Sequence, residues 1–129
     1  MTHSSPKGTA AAVIHKLRAY RAAALAIDAA IVAKVDFTKA ELGQLHLQLS
    51  MLKDDIAAEY KRCHGVRSRS QLTELESIYL CPAVSDLHIH FNAKRRSHPH
   101  SGQWINSLSD VVSYANYWLT PLEAQYPDI

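Results

Sequence analysis

The chain has 129 residues, a formal net charge of +2, and 47% apolar against 20% charged residues. That is one domain's worth of sequence, apolar enough to bury a core without metal or disulfide support and to exclude a disordered chain. Charge so near balance excludes a chain that is basic throughout, and no apolar run reaches the roughly 18–20 residues that cross a bilayer.

The polar start, MTHSSPKG, lacks a signal-peptide pattern, so the expectation is a cytoplasmic protein with a disordered stretch at 1–8 and one domain at 9–129. The first helix is predicted from Thr9 to Val35. Val13, Leu17, Tyr20, Ala24, Ile27, Ile31 and Val35 recur at spacings of three and four and make one apolar stripe. A second face is built of small residues: Ala19, Ala22, Ala26, Ala30 and Ala33. Alanine favours helix anywhere, but a continuous alanine face also lets another backbone come close.

Thr38 and Glu41 have capping-box spacing and open the second helix. Leu42, Leu45, Leu49, Leu52, Ile56, Glu59 and Cys63 follow as a ridge, and Gly65 is expected to end it in the left-handed conformation. Leu47 and Met51 fall off that ridge onto a second face. A third helix is predicted to start at Ser68 or Ser70 and to turn Leu72, Leu75, Ile78, Tyr79, Ala83, Leu87 and Phe91 inward. Pro82 should kink or break it, because proline lacks a backbone donor and crowds the preceding turn. The run DLHIHF also alternates as a strand would, but nothing in the chain offers it a partner strand, so helix is preferred. The fourth helix begins near Ser101, with Ile105, Leu108, Val112, Ala115, Leu119 and Leu122 inward and Trp104, Tyr114, Tyr117 and Trp118 flanking. Thr120-Pro121-Leu122-Glu123 reads as a short C-terminal helical turn starting anew. Short connections then imply an all-α, up-down four-helix bundle.

Cys63 and Cys81 form no CxxC. On antiparallel helices joined near residue 67 they should lie about 10–15 Å apart, out of disulfide reach.

The chemistry-rich stretch is residues 86–100, DLHIHFNAKRRSHPH. Metal binding by His88, His90, His98 and His100 is disfavoured. On a helix the first pair diverges by about 200°, the second pair splays around Pro99, and Lys94, Arg95 and Arg96 repel a cation. No glycine-rich phosphate loop, GxSxG elbow or HExxH is present, so no cofactor or small-molecule substrate is implied. Arg95 and His100 stand in Arg-x4-His spacing ahead of a helix, which resembles the HEPN family of helical ribonucleases. The resemblance implies a metal-independent site, usually in a dimer, where arginine holds the RNA phosphate and histidine moves a proton. The chain departs from the family pattern at Arg96, where a polar residue such as asparagine is usual, and at Pro99. The Lys94–Arg96 cluster, with Lys61, Arg62, Arg67 and Arg69, alternatively suggests a nucleic-acid-binding regulator.

The leading expectation is non-enzymatic: a helical protein-interaction module such as an adaptor, an inhibitor or immunity-type factor, or a regulatory subunit. It docks through Ala22, Ala26, Ala30, Leu47, Met51, Arg95 and Arg96, with itself as a dimer among the candidate partners.

Overall fold

The computed structural model describes residues 6–65, 71–94 and 97–129, and every regular element among them is helical. The strand reading of DLHIHF is thereby set aside.

Helix α1 spans Pro6–Val32. It begins ahead of Thr9, because a proline in the first turn lacks only a donor that has no helical partner anyway. It ends before Val35, which is 84% exposed. Phe37 must reach the core and Thr38 must cap the next helix, so the chain turns early. Val13, Leu17, Tyr20, Ala24, Ile27 and Ile31 are buried as expected, and Ile14 joins them.

Helix α2 spans Lys39–His64. The Thr38 hydroxyl accepts from the Glu41 amide at 3.1 Å, and the Glu41 carboxylate accepts from the Thr38 amide at 2.9 Å. Leu45, Leu49, Leu52 and Ile56 form its buried ridge. Gly65 ends it with φ −75° and ψ 138°, an extended exit rather than the expected left-handed cap.

Ser68 and Ser70 lie outside the described residues. Thr73 makes a second reciprocal cap: its hydroxyl accepts from the Glu76 amide at 3.2 Å while the Glu76 carboxylate accepts from the Thr73 amide at 3.1 Å. A π-helical turn, Glu76–Leu80, then runs directly into α3, Cys81–His90. The Cys81 amide donates to the Glu76 carbonyl, and this wider turn takes up the crowding from Pro82. The widening rephases the apolar face. Leu80, Cys81 and Val84 are buried, and Ile78, expected inward, is 49% exposed.

Helix α4, Gly102–Gln125, is unbroken through Pro121, so the separate final turn does not occur. Thr120 does not cap; its hydroxyl donates to the Asn116 carbonyl at 2.8 Å. The inward face is also rotated from the expected one. Trp104 and Val111 are buried, while Ile105 is 42% exposed.

The helices contact their neighbours in a ring, α1 on α2 and α4, α3 on α2 and α4, and one core fills the centre. Cys63 and Cys81 are both free, buried, and close enough for their thiols to hydrogen-bond, correcting the expected separation. The chain re-enters helix only after Thr73, which sets the third segment back along α2. Burial above all, then the neighbouring Cys81 thiol, pushes the Cys63 thiol up and keeps it protonated.

Glu59 sits in the α2 ridge at 7% exposure. It accepts from Lys16 Nζ of α1 at 2.8 Å and from Arg62 Nε at 2.8 Å. Arg62 continues to Glu76 at 2.5 Å, tying the third segment's cap to the same carboxylate. Burial pushes Glu59 up, but the Arg62 and Lys16 hydrogen bonds outweigh it and hold the carboxyl below its usual value. A depressed folded-state pKa contributes stability above the unfolded value, about 4.3, and that stability is lost as pH falls through the folded value. Glu59→Gln should therefore cost about 1–2 kcal/mol at pH 7 and flatten the loss of stability between about pH 5 and 3. Urea denaturation across that range checks both; a variant as acid-sensitive as wild type would contradict the assignment.

Candidate functional site

The imidazoles of residues 86–100 are distributed among three places. His88 stacks on Tyr60 of α2, ring centroids 4.4 Å apart, and Tyr60 carries His64 at 4.5 Å. His90 turns the other way and stacks on Tyr114 of α4 at 4.5 Å. Its Nδ1 donates to the Asp86 carbonyl at 2.8 Å, and its Nε2 accepts from the Tyr114 hydroxyl at 3.1 Å. The Asp86 carboxylate accepts from Trp118 Nε1 at 2.9 Å, so both polar groups of this α3–α4 seam are satisfied.

His98 and His100 pack with Phe37, at 6.1 and 5.0 Å between ring centroids. His100 Nε2 lies 3.0 Å from the Ile31 carbonyl, and His98 Nδ1 accepts from the His100 amide at 3.1 Å. The imidazole of His100 thus caps the last turn of α1, where a donor meets carbonyls with no helical partner and the negative end of the helix dipole. The connection is held elsewhere too. Trp104 Nε1 donates to the Lys94 carbonyl at 3.1 Å, the Asn92 amide donates to Ser107 Oγ at 3.0 Å, and Pro99 is buried. With Lys53 Nζ of α2 donating to the Ala93 carbonyl at 3.3 Å, the segment is fastened to α1, α2 and α4.

The four histidines considered for metal do not converge, and among the described residues no three His, Cys, Asp or Glu side chains are grouped to hold an ion. Arg95 and Arg96, and with them half of the Arg-x4-His pair, lie outside the described residues, as do Arg67 and Arg69.

The other candidate is a shape. Between α1 and α2 runs a groove of two adjoining hollows of about 250 and 300 Å³ that share Gln48. The α1 wall is Ala19, Ala23 and Ala26, then Ala30 and Ala33; the α2 wall is Met51, Gln48 and Gln44, with Asp55 at one end and Glu41 at the other. Ion pairs close both ends, Lys16 with Glu59 and Lys34 with Glu41. The Lys34 hydrogen bond, then that from the Thr38 amide, draws Glu41 down to about 2. Of the residues expected to dock a partner, Ala26, Ala30 and Met51 line the groove. Ala22 is exposed beside it, and Leu47, 52% exposed, stands on the outer face of α2. Gly43 shares that outer face. A Cβ there would meet nothing within 4 Å, so the chain's own packing does not require glycine, although glycine costs a helix about 1 kcal/mol relative to alanine. Phe37 and the two glutamines were not anticipated; only their spacing from Leu45 and Met51 could have placed them on the wall. A hollow between α1 and α4, beside Leu25 and Ile105, is interrupted by Asp28, Ser109 and Ser113 and is the more polar surface.

No known protein family, curated protein or solved structure matches the chain.

The capping role of His100 has a direct check. His100→Ala should lower stability by about 0.5–1.5 kcal/mol and speed amide exchange in the last turn of α1 ahead of the rest of the helix. Unchanged exchange at that turn would remove the role.

Proposed function

We propose that this chain is a helical docking module, an up-down bundle bent at the π turn before Pro82, whose α1–α2 groove receives an amphipathic helix from a protein partner. The observation that carries this reading is the continuous alanine wall facing half-exposed Met51 across the least polar surface hollows among the described residues. From Ala19 to Ala33 the wall rises about 21 Å, the length of a four-turn helix. Alanines bring a docked backbone close, methionine adapts to the side chains it meets, and Gln44 and Gln48 offer polar contacts along the rim. The adaptor, inhibitor and regulatory-subunit readings all describe such a module and differ only in the partner.

The imidazole and arginine readings are supported less. His100 Nε2 is engaged with a backbone carbonyl, and the site it would serve is a helix C-terminus, which repels a phosphate.

A photo-reactive residue at Ala26 tests the module in cells that make it. The expected outcome is a discrete protein adduct that is lost on Met51→Glu and absent when the probe sits at exposed Tyr117. Equal labelling from both positions, or labelling indifferent to Met51→Glu, would remove the groove from consideration.

A further inference from the structure

We infer that the Tyr20–Asp55 end of the groove seats a positively charged side chain, a lysine of the docked helix whose ammonium lies between the Tyr20 hydroxyl and the Asp55 carboxylate. The inference rests on the docking reading and names the chemistry of its partner.

Helices α1 and α2 run antiparallel: Lys16 meets Glu59 at one end of the groove and Lys34 meets Glu41 at the other. One turn in from the first pair, four residues along each helix, Tyr20 comes level with Asp55. At both closed ends α1 answers a carboxylate with a lysine. At this level it supplies a phenol, which can hydrogen-bond but carries no charge to match. Of the charged residues lining the two hollows, Lys34 and Glu41 are paired with each other, and Asp55 has no ion pair among the described residues.

Tyr20 is the second unmatched group. It is 6% exposed and lines the same hollow, yet its hydroxyl has no hydrogen-bond partner among the described residues. A buried hydroxyl normally finds one. Burial first, then the Glu59 and Asp55 carboxylates, push that hydroxyl up and keep it protonated. This end of the groove therefore holds an unused oxygen in a field of negative charge, which repels an anion and attracts a cation.

Lysine matches both unmet groups. Its flexible four-carbon stem lies along Ala19, Ala23 and Met51, in a hollow of about 250 Å³. The ammonium's three donors reach the Asp55 carboxylate, the Tyr20 oxygen and the Gln48 side-chain oxygen. Asp55 is itself exposed, so solvent screens the pair and the preference for a charged head over a neutral one is severalfold rather than many decades.

The probe is n-butylammonium, which is the lysine side chain without its backbone, with butan-1-ol as its neutral isostere. The full chain is labelled with carbon-13 in its methionine methyls. It has two methionines, so Met51 reports from the groove and Met1 gives the reference signal. At low salt, butylammonium is expected to shift the Met51 methyl saturably, with a midpoint on the order of 10 mM. Butan-1-ol should need at least about threefold more. Asp55→Asn should abolish that preference. Tyr20→Phe should weaken butylammonium binding about twofold to threefold and leave urea stability unchanged, since the hydroxyl it removes bonds nothing in the fold. A Met51 signal that does not move, that answers both probes equally, or that keeps its preference in Asp55→Asn would overturn the inference. The photo-adduct at Ala26 supplies the second arm. Ala26 lies about 9 Å along α1 from Tyr20, so the captured helix should carry a lysine about six residues from the labelled position, and Asp55→Lys should cut labelling about tenfold. Undiminished labelling in Asp55→Lys with no butylammonium binding removes the cation seat alone; butylammonium binding with no adduct at Ala26 removes the docking reading alone.

Discussion

The fold depends on keeping one carboxylate charged inside an apolar ridge. Glu59 interrupts the run Leu45, Leu49, Leu52 and Ile56 just before Cys63, where a leucine would pack without electrostatic cost. Burying it is tolerable only because Lys16 arrives from α1 and Arg62 from the next turn of α2, and Arg62 in turn holds Glu76. Three elements are therefore registered on one side chain. The two cations are partly exposed, so the net stabilisation is modest; the greater effect is that any sliding of α1 along α2 strands a buried charge.

That registration creates the groove. Lys16–Glu59 fastens α1 to α2 at one end and Lys34–Glu41 fastens it at the other. Between these latches the facing α1 residues are alanines, too short to fill the space the latches set. Ile31 is buried in the core instead, and the buried Tyr20 and Ile27 line the groove without filling it. Gln44, Gln48 and Asp55 add polar groups to its α2 side.

Much of this was legible as periodicity. The α1 stripe, the α2 ridge and the Thr38–Glu41 cap follow from residue spacing alone, because each is decided within a few turns of one helix. The misreadings share a different origin. Ile78 reads as inward when a 3.6-residue period is carried across a π turn, and Ile105 and Trp104 both stand at helical spacing from Leu108, so spacing alone does not separate the exposed one from the buried one. The Cys63–Cys81 distance failed because it was counted from an assumed loop. None of the histidine partners could be read. Spacing on a helix shows that His88 and His90 diverge, but that His100 meets the Ile31 carbonyl is a fact of tertiary packing between segments far apart in the chain.

The outcome reverses the apparent distribution of chemistry. Residues 86–100 look reactive because imidazoles, an acid and cations crowd together, yet three of their polar side chains hold the bundle: Asp86 to Trp118, His90 to Tyr114, His100 to the end of α1. A general base needs a ring nitrogen that faces a substrate proton, and a phosphate site needs positive potential. His100 instead faces a row of carbonyls at the negative end of a 27-residue helix. The groove and the outer face of α2 instead present alanines, a glycine, a leucine and a methionine, side chains suited to recognising shape.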